Sequence, residues 1–281
     1  MTDNTIAILM ATYNGEKYLR EQIDSILSQT YRDWHLFIHD DGSEDGTIVI
    51  LKEYKDKHPT RITIMDYPLQ GGACRNFLSM LERVEADYYM FCDQDDVWLP
   101  KKIEMSLRAM YEMEKEYKGI PIIVNTDLMV VDKNLGMIAH SFWEYEGIYP
   151  EFIRGYYDNA AVNSVTGCTM LFNSKVKELM PNPSKNTLMH DTWLTLSTYA
   201  NYGKVVYLQE RTVNYRQHGS NVLGARDISK NSIIHRMKNF STILKKNSQH
   251  FLQMNDVKHI SLLKYIIAKL RYRKFICLQS V

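Results

Sequence analysis

The densest group of chemically active side chains is the run Asp93-Gln94-Asp95-Asp96, which places three carboxylates within four residues. Like charges this close raise one another's pKa unless a cation shares the site. Carboxylate oxygens suit a hard divalent ion, Mg²⁺ or Mn²⁺, and such an ion keeps open positions for the oxygens of a diphosphate. Because alternate residues of an extended chain face the same side, we expect Asp93 and Asp95 to hold the metal.

Asp96 has two further interpretations. It caps the helix that follows Leu99-Pro100, or it supports the two metal-facing carboxylates. A solvated acidic turn without a metal is the alternative for the whole run, since acidic residues are common before helices.

Three polar clusters, this one included, each follow a short apolar run. The cluster Thr12–Gly15 follows the run Ile6–Thr12, the cluster Asp40–Ser43 follows the run Trp34–His39, and the cluster Asp93–Asp96 follows the run Tyr88–Cys92. Apolar runs of this length before polar residues predict buried strands, each followed by a loop.

Helical periodicity separates these strands. It predicts helices at Glu16–Gln29, Thr47–Lys57, Asn76–Val84 and Lys101–Lys118, and further strands at Arg61–Met65 and Ile122–Val131. Alternating strands and helices are typical of an α/β fold with a mostly parallel central sheet flanked by helices. Ligands of such sheets bind at the carboxyl ends of the strands, where all three polar clusters fall.

Several enzyme classes are excluded by missing motifs. The chain has no G-x-G-x-x-G, no G-x-x-x-x-G-K-[ST] and no G-x-S-x-G, which argues against dinucleotide oxidoreductases, P-loop phosphotransferases and α/β-hydrolases. The four cysteines form no C-x-x-C pair, which argues against a zinc knuckle and fits a reducing cytosol. The N-terminal sequence does not resemble an export signal.

The net charge of +1 hides a strong asymmetry along the chain. Residues 226–281 carry twelve basic and two acidic side chains, a net charge of +10, whereas residues 1–225 carry 22 basic and 31 acidic ones, a net charge of −9. Such a split predicts an acidic body and a basic segment directed at an anionic partner. Nucleic acid is not the expected partner, because no binding motif accompanies the charge.

The end of this basic segment is also apolar. Ile260, Leu263, Ile267 and Leu270 recur at helical spacing between lysines and arginines. One interpretation is an amphipathic helix on an anionic bilayer surface. The other is a helix packed on its own domain or on a partner subunit, with the lysine stems lying along apolar surface.

Four blocks of the chain together resemble the family 2 glycosyltransferases, which have the nucleotide-diphospho-sugar (GT-A) fold. They are ILMATYNGEKYLREQIDSILSQTYRDWHLFIHDDGSEDGT, FCDQDDVWLPKKIE, GCTMLFN and HDTWL. The resemblance covers most of residues 5–225. The details DQDDVW, HDTW and YRQHGSNVLG are most similar to a bacterial subgroup that includes rhamnosyltransferases of surface-polysaccharide assembly.

The resemblance implies which residues bind the nucleotide. Thr12 and Tyr13 would flank the base, and Glu16 would lie nearby. Asp40 would accept a hydrogen bond from the ring N3–H of uracil or thymine, which cytosine lacks. The alternative for Asp40 and Asp41 is a turn or helix cap, and both roles can hold, one for each aspartate.

The resemblance also assigns the metal and the diphosphate. The family pattern D-x-D is satisfied by Asp93-Gln94-Asp95, so Asp95 would ligate Mn²⁺ or Mg²⁺ and Asp93 would lie near the ribose or diphosphate. Arg75 matches the usual position of a basic or amide group near the diphosphate. His218 is a candidate third metal ligand or a diphosphate donor, although a lone histidine is more often a hydrogen-bonding loop residue.

The expected general base is Asp191. The family often has Glu-Asp at this position, and this chain has His190-Asp191. The base must take a proton from an acceptor hydroxyl as that oxygen attacks the anomeric carbon. A helix cap is the alternative for Asp191. On the acceptor or sugar side the resemblance and the residue types point to His190, Gly167, Trp193 and Arg216.

The preferred hypothesis is an inverting, metal-dependent glycosyltransferase. The donor would be a dTDP- or UDP-sugar, with dTDP-L-rhamnose preferred over glucosyl or galactosyl donors. The acceptor would be a lipid-linked saccharide of bacterial cell-wall or capsular polysaccharide assembly, at the cytoplasmic face of the cell membrane. A non-catalytic sugar-nucleotide-binding scaffold is the alternative from another class. A nucleotidyltransferase is disfavoured because the glycine-rich loop of that class is missing.

The expected organisation follows from these assignments. A GT-A domain is predicted at 1–225, with a nucleotide-binding part at 1–100 and an acceptor part at 101–225. A basic helical tail is predicted at 226–281. The sequence leaves the oligomeric state open, with a homodimer through the C-terminal region as one arrangement.

Overall fold

The computed structural model describes residues 5–219, 224–225 and 240–279. Nine strands of these residues form one sheet. Their bounds are β1 Ile6–Thr12, β2 Trp34–Asp40, β3 Ile62–Ile64, β4 Tyr88–Cys92, β5 Val97–Trp98, β6 Ile122–Val131, β7 Met137–Ala139, β8 Leu171–Asn173 and β9 Lys204–Arg216.

Helices connect or cover these strands. Their bounds are α1 Leu19–Leu27, α2 Thr47–Lys57, α3 Ala73–Arg83, α4 Lys102–Glu116, α5 Phe142–Glu146, α6 Tyr156–Asn159, α7 Ser174–Leu179, α8 His190–Ala200, α9 Phe240–Val257 and α10 Leu262–Gln279. Two short 3₁₀ turns lie at Pro150–Phe152 and Gly167–Thr169.

The sheet confirms the predicted α/β class. Its order is β3-β2-β1-β4-β8-β6-β9-β5, with β7 paired to β6. The strands β1 to β4 are parallel, as expected from the alternation of strands and helices. The strand β8 runs antiparallel between β4 and β6, and β5 and β7 are also antiparallel to their neighbours. The complete sheet is therefore mixed, because its second half does not follow a simple strand–helix repeat.

Both faces of the sheet are buried, which explains why its central strands are apolar throughout. Along β1, Ile6, Ile8 and Met10 pack in one cluster together with residues of α1, α2 and α4. Ala7 and Leu9 face the other side and pack with α3, α7 and α8. This two-residue alternation between two cores is the expected geometry of a strand covered by helices on both sides.

The basic C-terminal segment packs on the domain over part of its length. Met254 of α9 and Tyr265 and Ala268 of α10 form a third apolar cluster with Tyr156 and Leu196. This packing supports the interpretation of a helix docked on its own domain. Residues 226–239 of the segment lie outside the described residues. None of the described helices is long and apolar enough to cross a bilayer.

Candidate active site

A cavity of about 870 Å³ opens at the carboxyl ends of β1 and β4. All three predicted polar clusters supply its wall, through Thr12 and Tyr13, Asp41, and Asp93 and Asp95. The parallel strands end at the same edge of the sheet, so the loops that follow them share this wall. Residues that precede and begin α8 form another part of it, including Asp191.

Asp40 lies behind the cavity wall and does not line it. Its carboxylate accepts hydrogen bonds from Thr12 Oγ1 at 2.8 Å, from Ser43 Oγ at 2.6 Å and from the N–H groups of Gly42 and Ser43. These donors hold Asp40 in the turn after β2. Asp40 therefore does not line the cavity in this structure, and its contact with the base stays a prediction.

The neighbouring Asp41 lines the cavity instead. Its carboxylate accepts from the backbone N–H of Gln70 at 2.6 Å, of Gly71 at 3.2 Å and of Gly72 at 2.6 Å. Gly71 and Gly72 have φ of 72° and 131°, a region that glycine adopts without strain. Burial alone would raise the pKa of Asp41, but the three donors lower it below its usual value, so this carboxylate stays charged.

Glu16 and Arg75 also lie away from the cavity. Glu16 is exposed, and its carboxylate accepts from the N–H of Gly46 at 2.9 Å, which ties the first loop to the second. Arg75 is exposed on α3 and does not line the wall, whereas the next residue, Asn76, is buried and does. The nucleotide contacts expected of Glu16 and Arg75 stay predictions that this cavity does not support.

Gln94 connects the first loop to the acidic run. The N–H of Tyr13 donates to Gln94 Oε1 and Gln94 Nε2 donates to the carbonyl of Tyr13, both at 2.9 Å. A Cβ at Gly15 would collide with the Gln94 amide, so this paired arrangement requires glycine there. Gln94 lines the cavity together with Asp93 and Asp95, while its amide is paired with the backbone of Tyr13.

The two carboxylates of Asp93 and Asp95 face the cavity in an environment that favours a cation. Burial, and after it the neighbouring charges of Asp95 and Asp191, raise the pKa of Asp93 to about 7. His218 Nε2 lies 2.7 Å from Asp95 Oδ2, so the predicted histidine does reach the acidic run. Carboxylates and an imidazole are donors of the kind that bind Mn²⁺ or Mg²⁺, so these residues stay candidate ligands.

A second grouping of donor atoms lies deeper. One ligand atom each of Asp93, Asp96 and Cys168 lies within 4.8 Å of the others. Asp96 and Cys168 are buried and do not line the cavity, so a metal there would not reach a substrate. Asp93 and Asp95 do line the cavity, where a cation could contact a substrate.

Arg216 forms hydrogen bonds with two residues of the acidic run. It is buried, its backbone N–H donates to Asp96 Oδ1 at 3.0 Å, and its Nε donates to the carbonyl of Asp95 at 2.8 Å. Its remaining nitrogens contact the carbonyl of Lys133 and the carboxylate of Glu21. Arg216 does not line the cavity, so its sugar or phosphate contact stays a prediction without support from this geometry. Asp96 receives that N–H rather than capping α4, so its supporting role is the correct alternative.

Asp191 lies on the cavity wall in the first turn of α8. The N–H of Gly167 donates to its Oδ2 at 3.2 Å, and the N–H of Thr192 donates to its Oδ1. Burial raises the pKa of Asp191 and these hydrogen bonds lower it. Burial is the larger effect, so the resulting pKa is about 6. A carboxylate with a pKa near the working pH is suited to take a proton from a hydroxyl.

Gly167 and His190 also line the cavity beside Asp191, as predicted. His190 is packed between Phe77 and Phe91, with ring centroids 4.3 Å and 4.6 Å away. Burial lowers the pKa of His190 to about 3, so its imidazole is neutral and carries no charge into the cavity.

Trp193 does not reach the cavity. It is buried in the second apolar cluster, and its Nε1 donates to the carbonyl of Pro181 at 3.0 Å. Stacking of Trp193 on a sugar stays a prediction without support from this geometry. A core position and a subsite position have the same helical spacing, so the sequence alone does not separate them.

Part of the wall was not anticipated from the sequence. An apolar side is formed by Phe142, Ile148, Val162, Val165 and Met189, and Lys246 of α9 also lines the cavity. These residues belong to no motif, and only the tertiary fold brings them to the acidic run.

Comparisons with known proteins agree with this geometry. The family model described as "Glycosyl transferase family 2" matches residues 7–179. The dTDP-rhamnosyl transferase RfbG of Shigella flexneri is 30% identical over 228 residues, which are 77% of this chain and 74% of RfbG.

Two further proteins are similar over different lengths. The UDP-Glc:alpha-D-GlcNAc-diphosphoundecaprenol beta-1,3-glucosyltransferase WfgD of Escherichia coli is 33% identical over 131 residues, 46% of this chain and 51% of WfgD. The mannosyltransferase PcManGT of Pyrobaculum calidifontis, solved with GDP-Man and Mn²⁺, has a TM-score of 0.59 at 13% identity and covers 96% of this chain and 69% of its own. At this identity the structural likeness shows the GT-A fold alone.

Proposed function

The chain belongs to the family 2 glycosyltransferases, and from this premise we propose that it transfers a sugar from a nucleotide diphosphate to a saccharide hydroxyl with inversion. The observation that carries the proposal is the shared cavity. Asp191, suited to act as a base, and the metal-compatible pair Asp93 and Asp95 line the same wall. In this proposal residues 1–100 bind the nucleotide and residues 101–225 bind the acceptor.

The reaction needs one proton acceptor and one stabilised leaving group. Asp191 takes the proton of the acceptor hydroxyl as its oxygen forms a bond to the anomeric carbon. The bond from that carbon to the diphosphate oxygen breaks, and the nucleoside diphosphate leaves with the electron pair. A single displacement inverts the anomeric centre and forms no covalent sugar–enzyme intermediate.

Asp93 and Asp95 would hold a divalent cation, with His218 beside Asp95. When bound, Mn²⁺ or Mg²⁺ would offset the negative charge of the leaving diphosphate. Tyr13 and Asp41 on the same wall would bind the base, and the Asp41 carboxylate would accept from a pyrimidine N3–H.

For the donor we propose dTDP-L-rhamnose, with a UDP-hexose as the alternative. The name of RfbG supports the first and the name of WfgD supports the second. The diphosphoundecaprenol in the name of WfgD supports a lipid-linked saccharide as acceptor, in the assembly of a bacterial surface polysaccharide.

A lipid-linked acceptor requires access to a membrane surface, and α10 offers a suitable face. Tyr265 and Tyr272 are buried against the domain, whereas Leu263, Ile267 and Leu270 on the opposite side are 68%, 45% and 57% exposed. The helix carries five cations and no acidic residue. Exposed leucine and isoleucine among cations match an anionic bilayer, so we propose that α10 docks on the inner membrane face.

The membrane part is tested by replacing the exposed apolar side chains together, as Leu263→Gln, Ile267→Gln and Leu270→Gln. The substitutions leave the buried face intact, so the fold should be retained. We expect sedimentation with phosphatidylglycerol vesicles to be lost, and sedimentation with phosphatidylcholine vesicles to be weak for both proteins. Equal binding of the triple variant and the original chain to anionic vesicles would contradict membrane docking by this face.

The transferase proposal is tested first by a thermal-shift screen against dTDP, UDP, GDP and CDP, with and without Mn²⁺. A ligand that binds the native state raises its apparent stability. A larger metal-dependent shift with dTDP than with UDP supports a rhamnosyl donor, and the reverse order supports a UDP-sugar. No shift with any nucleotide would contradict the proposal.

A further inference from the structure

The charges on the cavity wall are strongly unbalanced. Among the described residues that line it, one is a cation, Lys246. The acidic ones are Asp41, Glu146, Asp93, Asp95 and Asp191. A nucleotide diphosphate or a lipid diphosphate brings further negative charge to this wall. The two charges of one divalent cation are fewer than the negative charges of the wall and a diphosphate together. Lys246 is a cation on the same wall that can contact a phosphate group.

The helix geometry of α9 directs Lys246 toward the domain. Gln253 and Met254 are both buried and follow Lys246 by seven and eight residues. Seven residues are two turns of an α-helix, so these side chains lie on one face. Lys245 and Lys246 are both exposed, but Lys245 is rotated by about 100° around the axis and only Lys246 lines the cavity.

The same face of α9 is fixed to the segment that leads into the proposed base. The N–H of Leu188 donates to Gln253 Oε1 at 2.6 Å. Asn186 Nδ2 donates to the carboxylate of Asp256 at 2.8 Å. Residues 186 and 188 lie just before His190 and Asp191, so one segment positions both the base and the helix that carries Lys246.

Lys246 has no carboxylate partner within ion-pair distance among the described residues. Arg75, the basic residue that the sequence assigned to the diphosphate, is exposed and off the wall. We propose that Lys246 binds a phosphate group of a substrate diphosphate at this cavity. The inference rests on the proposed function and adds to it a residue of the basic C-terminal segment, which would then act in substrate binding as well as at the membrane.

The diphosphate has two possible sources, the nucleotide of the donor and the lipid diphosphate of the acceptor. The variants are Lys246→Met, which removes the charge, Lys246→Arg, which restores it, and Lys245→Met, which removes the same charge one residue away. Melting temperatures of the full chain verify that all three are folded. Calorimetry with dTDP and UDP in the presence of Mn²⁺ reports the donor side.

For a donor-side contact we expect Lys246→Met to weaken nucleoside diphosphate binding about tenfold, the scale of one charge-assisted hydrogen bond. Lys246→Arg should recover most of the affinity, and Lys245→Met should leave it unchanged. For an acceptor-side contact we expect Lys246→Met to leave the nucleoside diphosphate affinity unchanged. The KM for a lipid-diphosphate-linked saccharide then rises about tenfold, while the KM for the same saccharide on a neutral alkyl chain does not.

Two results would overturn the inference while the proposed function stands. One is a Lys246→Met protein whose nucleoside diphosphate affinity and whose KM for the lipid-diphosphate-linked saccharide are both unchanged. The other is an equal loss of binding in Lys245→Met, which would indicate a general effect of charge. A chain that binds no nucleoside diphosphate at all contradicts the proposed function itself, and the inference with it.

Discussion

The backbone N–H of Gly167 donates a hydrogen bond of 3.2 Å to Oδ2 of Asp191, and so joins a 3₁₀ turn to the first turn of α8. The other oxygen, Oδ1, accepts from the N–H and the hydroxyl of Thr192. The carboxylate is therefore held from two elements while it faces the cavity. A base with a fixed orientation is what a proton transfer from a bound hydroxyl needs.

Replacing Asp191 by Asn should abolish proton transfer and leave the site otherwise intact. The amide keeps the size of the side chain and one oxygen for the N–H of Gly167 or Thr192. We expect kcat to fall by about a thousandfold, within the usual range for a general base. Nucleoside diphosphate affinity, measured by calorimetry, should change less than about twofold. A variant with normal turnover would remove Asp191 from the mechanism.

The activity should depend on pH through the same carboxylate. Burial raises the pKa of Asp191 to about 6, and only the deprotonated form accepts a proton. The value of kcat/KM should therefore be constant above this pKa and fall about tenfold per pH unit below it. The measurement is a rate profile from pH 5 to 8 at saturating Mn²⁺, with the fold checked at each pH. A profile that is flat down to pH 5 would contradict the assignment.

The central strands and several helices were predictable because the pattern of apolar and polar residues within each element indicates its type. The predicted bounds of β1, β4, β6 and α2 coincide with the observed ones. These strands are apolar throughout because both of their faces are buried, and the polar residues after them mark their ends. The strands β5, β7 and β8 have two or three residues each, so their pattern is too short to indicate a strand without its partner.

The site was predictable at the level of motifs but not of side-chain direction. The acidic run, Gly167 and Asp191 meet on one wall as expected. Asp40 and Asp41 are adjacent and chemically equal, and only the backbone N–H groups of residues 70–72 decide which of them faces the cavity. Arg216 is polar enough to suggest a ligand contact, yet its guanidinium contacts the carbonyls of Asp95 and Lys133 and the carboxylate of Glu21.

Gly167 should not tolerate a methyl group. A Cβ there would lie 2.6 Å from Nε2 of His190, whose ring is wedged between Phe77 and Phe91 and cannot move aside easily. Gly167→Ala should reduce the free energy of unfolding by about 1–3 kcal/mol through overpacking. It should also lower kcat, because the Gly167 N–H orients Asp191.

Gly155→Ala is the matched control for that change. A Cβ at Gly155 meets no atom within 4 Å, and its φ of 172° is extended backbone that any residue adopts. Urea unfolding and turnover of this control should be close to those of the original chain. Equal effects of the two substitutions would mean that the contact with His190 does not restrict residue 167.

Asp41 should determine which nucleobase the cavity accepts. Its carboxylate can only accept hydrogen bonds, so it should favour the N3–H of thymine or uracil and disfavour the bare N3 of cytosine. In Asp41→Asn the amide can accept from the first and donate to the second, so the preference for dTDP or UDP over CDP should shrink about tenfold. Calorimetry with the three diphosphates gives this ratio directly. Glu44→Gln is the control, because Glu44 is an exposed acid of the same loop that does not line the cavity. An unchanged ratio in Asp41→Asn would show that this carboxylate serves the loop at residues 70–72 and not the base.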